Sequence, residues 1–192
     1  MKTAIVTFQG FTEDLGSSTG TERLWQKLRP LASPDLLVTQ PAAWDARTDR
    51  AAAFLQRQQI ERVVIVGYSW GAGYASQRFA RECGERGLSV PLMVLCDPVY
   101  RPLWLPPLLP LLPLAFRALI PGAASIKIPR NVRRVAWVRQ TLSLPMGHPI
   151  DADPYATVVE DAVLLPYGHT AIDESSEWHA LALDKITTYL HP

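Results

Sequence analysis

Ser69 is the residue whose setting in this chain best suits nucleophilic chemistry. It lies in Gly67-Tyr68-Ser69-Trp70-Gly71, directly after the four β-branched residues Val63-Val64-Ile65-Val66 and before an amphipathic stretch that runs to about Cys83. A sharp strand-to-helix turn crowds the positions two before and two after its central residue, and glycine at both relieves the crowding. The serine then takes a strained backbone and projects its hydroxyl above the sheet edge. The plain alternative is a glycine-rich turn with a bystander serine. A serine hydroxyl is a poor nucleophile until a base accepts its proton, and the chain offers four histidines. His169 follows the last apolar run and precedes the last helix. His148 falls in a Gly/Pro loop, where a surface turn is the plainer reading. His179, inside the final helix, and His191, in the tail, read as structural or exposed.

The elements that must position these residues alternate between short β-rich runs and amphipathic helical stretches. That order predicts an α/β fold of three layers, a doubly wound and mostly parallel sheet of about six strands with helices on both faces. Strands are expected at Ala4–Phe8, Asp35–Thr39, Val63–Val66, Leu92–Cys96, Arg134–Thr141 and Ala162–Leu165. Thr19 and Glu22 have capping-box spacing for a helix carrying Leu24, Leu28 and Leu31. Asp45 or Thr48 is expected to cap the next helix, with Ala51, Phe54 and Leu55 on its apolar face. A final helix is expected over 175–190.

Size and composition set outer bounds. The 192 residues read as one domain over 1–192, and 48% hydrophobic with 19% charged residues is an ordinary globular balance. A net charge of +1 argues against nucleic acid as a partner. Met1 to Val6 enters a strand-like run without the features of a signal peptide. Cys83 and Cys96, expected in a helix and a central strand, read as two buried free thiols; with the N-terminus they suggest the cytoplasm. No His, Cys and carboxylate cluster has zinc-like spacing, so no metal is expected. The loop Gly16-Ser17-Ser18-Thr19-Gly20 lacks the lysine and spacing of a phosphate-binding loop. Residues 102–121 are almost wholly apolar and hold six prolines, which break any helix long enough to cross a membrane.

The strand-turn-helix segment around Ser69, together with Asp97 and His169, resembles the α/β-hydrolase superfamily, in a small form similar to esterases and cutinase-like enzymes. The resemblance covers nearly the whole chain as an order of elements and implies a fold trimmed at its N-terminus, beginning at the strand before the oxyanion loop. It implies the order nucleophile, acid, base, which makes His169 the base. For the acid it favours Asp97, at the end of the strand after the nucleophile helix; most members use the next strand, which ends here near Thr141 without a carboxylate. Asp153 and Asp151 are the alternatives, and a turn residue before Pro98 is the plain reading of Asp97. The Trp70 N–H is the expected first oxyanion donor. Phe11, in Gln9-Gly10-Phe11-Thr12, is the second by position, against an ordinary glycine turn.

The implied reaction is hydrolysis of a carboxylic ester through an acyl-enzyme, without a cofactor, on a small-molecule or lipid-like substrate with an apolar acyl or alcohol part. Tyr68, Trp104, Leu105 and Leu108 are the candidate substrate contacts. Residues 102–121 read equally as a lid touching lipid, as packing on the sheet, or as a self-association surface. A thioesterase or acyltransferase on the same residues, and a catalytically inactive interaction module using 102–121, are the competing functions.

Overall fold

The computed structural model describes residues 1–11, 13, 19–100 and 124–191. Trp104, Leu105, Leu108 and the rest of 102–121 lie outside the described residues.

The strands form where β-branched and aliphatic runs can be buried on both faces. β1 (Thr3–Phe8), β2 (Leu36–Val38), β3 (Arg62–Tyr68) and β4 (Ser89–Cys96) precede the short β5 (Ile126–Lys127). β6 (Arg134–Arg139), β7 (Ile150–Asp151), β8 (Val158–Val159) and β9 (Val163–Leu164) follow. The main sheet has the order β2-β1-β3-β4-β6-β8, with β9 also pairing β6. Each of its neighbouring strand pairs is parallel. The sequence leads one to expect about six strands; among the described residues the sheet has a seventh, β8, a two-residue exposed strand too short to carry a periodic signal. The parallel pair β5–β7 forms a separate small sheet.

Alternate side chains divide the core between the two faces. Val6, Phe8, Val63, Ile65, Met93 and Leu95 pack on one side with Leu55 and Phe79, from α2 (Thr48–Arg57) and α3 (Ser76–Glu85). Ile5, Val64, Val66, Val94 and Cys96 pack on the other with Leu24, Leu28, Trp178 and Ile186, from α1 (Gly20–Leu28) and α5 (Ser176–Leu190). A short α4 (His169–Ile172) precedes α5. Burial of each such aliphatic side chain contributes roughly 1.5–3 kcal/mol, so the doubly covered β1, β3 and β4 form the most strongly held part of the sheet.

The caps agree in part with expectation. Thr19 accepts the Glu22 N–H and starts α1, as a capping residue should. α2 instead starts after Arg47, with Thr48 buried in its first turn, and Phe54 is left 44% exposed while Ala52 and Leu55 face the core. Both cysteines are buried and free, as their expected placement requires.

The chain leaves β1 toward β2 on one side and comes back to β3 on the other. The loops that follow β1 and β3 therefore meet at the carboxyl edge of the sheet, the place where parallel α/β sheets leave a crevice.

Candidate functional site

β3 ends at Tyr68 and the chain turns abruptly, giving Ser69 a φ of 53°. A π-helical turn, Gly71–Ala75, then leads into α3. Its wide spacing is braced by side chains: Ser76 Oγ donates to Gly71 O (2.7 Å) and Gln77 Nε2 to Ala72 O (2.8 Å). A Cβ on Gly67 would stand 2.8 Å from Ala72 Cα, and one on Gly71 would strike the carbonyls of Phe8 and Gln9. The turn is therefore pressed against the end of β1. Gly10 makes the same approach from the other side, since a Cβ there would lie 2.7 Å from the Tyr68 ring and 3.1 Å from Ser69 Cβ.

Ser69 Oγ stands 2.9 Å from His169 Nε2, and His169 Nδ1 stands 2.6 Å from Asp97 Oδ2. All three residues are buried, Asp97 completely. The carboxylate can only accept, so Nδ1 carries the proton and Nε2 is left as the acceptor for the Ser69 hydroxyl. Two further bonds fix the histidine main chain: its N–H donates to Ser143 Oγ (2.8 Å) and its C=O accepts the Tyr68 hydroxyl (2.6 Å). Asp97 follows β4 directly, with a φ of 40°, and accepts from Gln140 N and Gln140 Nε2 as well as from His169.

The two other aspartates considered for the acid lie elsewhere. Asp151 is in β7, paired with Lys127, and Asp153 accepts from Tyr155 N and pairs with Arg130 at 3.0 Å. Among the histidines, His148 corrects the surface-turn expectation: it is 2% exposed and its Nδ1 accepts from Tyr100 N at 3.3 Å. His179 is structural. Its Nδ1 accepts from Lys27 Nζ (2.9 Å) and its Nε2 donates to the carbonyls of Gly20 and Asp173, tying α5 to α1.

Phe11 and Trp70 lie side by side, their ring centroids 4.6 Å apart, and Trp44 closes an aromatic group around them. Trp70 immediately follows Ser69 at the entry to the helix. Phe11 follows the close approach of Gly10 and is 45% exposed. A cleft of about 320 Å³ opens over Ser69 and His169, walled by Phe11, Trp70 and Tyr68 on one part and by Glu13, Thr19 and Asp173 on another. Tyr68 thus lines the cleft with its hydroxyl committed to His169; burial pushes the phenol well above its ordinary pKa.

The polar wall is not foreseen from the sequence. Glu13 accepts from Gly10 N and from Thr21 Oγ1 (3.0 Å). Asp173 is buried against Gly20 and hydrogen-bonded to Glu13; burial first, and then the neighbouring Glu13 carboxylate, push its pKa up to about 8. Gln140 and Ser143 are likewise missed, because their role comes from what they touch and not from their own reactivity.

Comparison with known proteins adds the family. Residues 10–189 match the alpha/beta hydrolase family. No curated protein matches the chain. Among solved structures, the thioesterase RedJ from the prodiginine biosynthetic pathway of Streptomyces coelicolor is 12% identical with a TM-score of 0.55, over 96% of this chain and 85% of that one. SrfTE, the thioesterase domain that cyclises the lipopeptide antibiotic surfactin, is 13% identical with a TM-score of 0.53, over 97% and 92%. A protein from Agrobacterium vitis is 15% identical with a TM-score of 0.56, over 97% and 87%. At these identities the likeness is one of fold.

Proposed function

The chain belongs to the alpha/beta hydrolase family, and we propose that within it this protein is a serine hydrolase cleaving carboxylic esters through an acyl-enzyme. The observation that carries this reading is the continuous hydrogen-bonded line Ser69 Oγ, His169 Nε2, His169 Nδ1, Asp97 Oδ2, at 2.9 and 2.6 Å.

Ser69 Oγ attacks the acyl carbon while its proton passes to His169 Nε2. Asp97 holds the ring in the accepting tautomer and stabilises the imidazolium. The oxyanion takes hydrogen bonds from the Trp70 amide, next after Ser69, and from the Phe11 amide, next after Gly10, whose backbone packs on Ser69. His169 then protonates the departing alkoxide as the carbon–oxygen bond breaks. Water, losing a proton to the same histidine, attacks the acyl-enzyme, and Ser69 regains its proton as the acid leaves. The exposed Phe11 ring on Trp70 supports an apolar acyl or alcohol group at the cleft mouth.

A thioester passes through the same tetrahedral intermediate, so thioester hydrolysis or acyl transfer is the second reading for the same residues. Hydrolysis of p-nitrophenyl esters of two to twelve carbons, beside matched thioesters, separates them by kcat/KM. Ser69→Ala and His169→Ala are each expected to reduce kcat by several orders of magnitude, as members of one unit do. A wild-type chain that hydrolyses neither series and resists fluorophosphonate labelling would overturn the assignment.

A further inference from the structure

Gln140 stands one residue past β6 and is completely buried. Its backbone N–H donates to Asp97 Oδ1 (3.1 Å) and its Nε2 to Asp97 Oδ2 (3.1 Å), so a single residue grips both oxygens of the carboxylate. Nε2 also faces Ser143 O and Pro145 O, each at 2.9 Å. Oε1 accepts from the N–H groups of Leu142 (2.7 Å) and Ser143 (2.9 Å). These partners settle which way the amide points. Turned over, its oxygen would meet three oxygens and its NH₂ two N–H groups.

The loop folded around this amide delivers Ser143 Oγ to the His169 N–H at 2.8 Å. One side chain is therefore connected to the acid directly and to the main chain of the base through Ser143. We propose that Gln140 is the positioning residue of the Asp97–His169 pair, fixing the plane of the carboxylate and, through Ser143, the placement of the imidazole. The proposal rests on the reading of Ser69, His169 and Asp97 as the reacting unit.

A neutral amide is the side chain that fits here. A carboxylate at 140 would set its oxygens against Asp97 and two carbonyls, adding a like charge beside a buried one. An apolar chain of the same length would remove a donor from Asp97 and leave two N–H groups and two carbonyls to find other partners. With Asp97 completely buried, water does not replace the lost donor. The carboxylate then keeps only the residue-140 N–H on Oδ1 and the His169 ring on Oδ2, so its plane, and with it the line from Oδ2 to Nδ1, is less tightly fixed.

The test uses the full chain with Gln140→Met and Ser143→Ala, measured by ester hydrolysis, by urea unfolding, and by the low-field Nδ1–H proton resonance of His169. Gln140→Met is expected to lower kcat about ten- to hundredfold, the range for a misplaced catalytic group, with KM within about twofold. The low-field resonance should broaden or move upfield. Ser143→Ala should lower kcat about three- to tenfold, again without a change in KM. A folded Gln140→Met protein with wild-type kcat and an unchanged resonance overturns the proposal. If Gln140→Met does not fold, Ser143→Ala decides, and a wild-type kcat there overturns it equally. Full activity in Ser69→Ala would instead remove the underlying reading, whatever Gln140 variants do.

Discussion

Ser69 and Asp97 close neighbouring strands with the same uncommon sign of φ. Each is the first residue past its strand, β3 or β4, and each has a positive φ, 53° and 40°. Their predecessors Tyr68 and Cys96 are opposite one another in the parallel register, so the two turns stand side by side at the carboxyl edge. The Val99 N–H donates to Ser69 O at 3.1 Å and joins the chains beyond the strands. A left-handed conformation at a residue with a Cβ is costly, and here both instances face His169.

The strain at Ser69 predicts an inversion of the usual ranking of substitutions. Ser69→Gly and Ser69→Ala should both abolish ester hydrolysis, but the glycine variant should be the more stable by about 1 kcal/mol. Urea midpoints measure the difference. A Ser69→Ala protein as stable as Ser69→Gly would show that position 69 stores no strain.

Gly147 predicts a second effect at the acid. A Cβ on this buried glycine would fall on Asp97 Oδ1 and lie 3.1 Å from Arg139 Cβ. Gly147→Ala must therefore displace the carboxylate or its own loop. We expect a loss in kcat of about tenfold or more and a destabilisation of about 1–3 kcal/mol. Paired kinetics and thermal melts report the two losses separately.

Asp173 makes stability depend on pH in a defined direction. In the folded chain burial and Glu13 hold its pKa up to about 8, whereas an unfolded aspartate loses its proton near pH 4. Between these values the folded state binds the extra proton, so stability falls as pH rises from about 4 to about 8 and this contribution is constant on either side. Asp173→Asn should flatten that part of the profile. Urea midpoints taken across the range provide the measurement, and an unchanged slope in the variant would assign it to other groups.

The parts of the fold that were legible in the sequence are those with strong local signals. Val63–Val66 could only be a doubly covered strand, and glycines at 67 and 71 marked the turn that holds Ser69. His169 was located by its order in the chain, and Asp97 by its place at a strand end. β8 gave no such signal, because its two valines are exposed and its pairing with β6 depends on the sheet already present. The burial of His148 and the meeting of Glu13 with Asp173 are likewise products of the tertiary fold. Gln140 was hidden for a different reason. The sequence draws attention to the missing carboxylate near Thr141, yet an amide has no chemistry of its own and becomes informative only when Asp97 is seen between its donors.

His169 is held by four bonds at once, two on its ring and two on its main chain, and their partners come from the ends of β3 and β4 and from the loop after β6. The imidazole therefore gives up its orientational entropy when the chain folds and not when a substrate arrives. Those anchoring segments are the turns that close β3 and β4 and the loop after β6, so local opening at any one of them would loosen the imidazole. The chemistry proposed for Ser69 then depends on local order at three segments far apart in the chain.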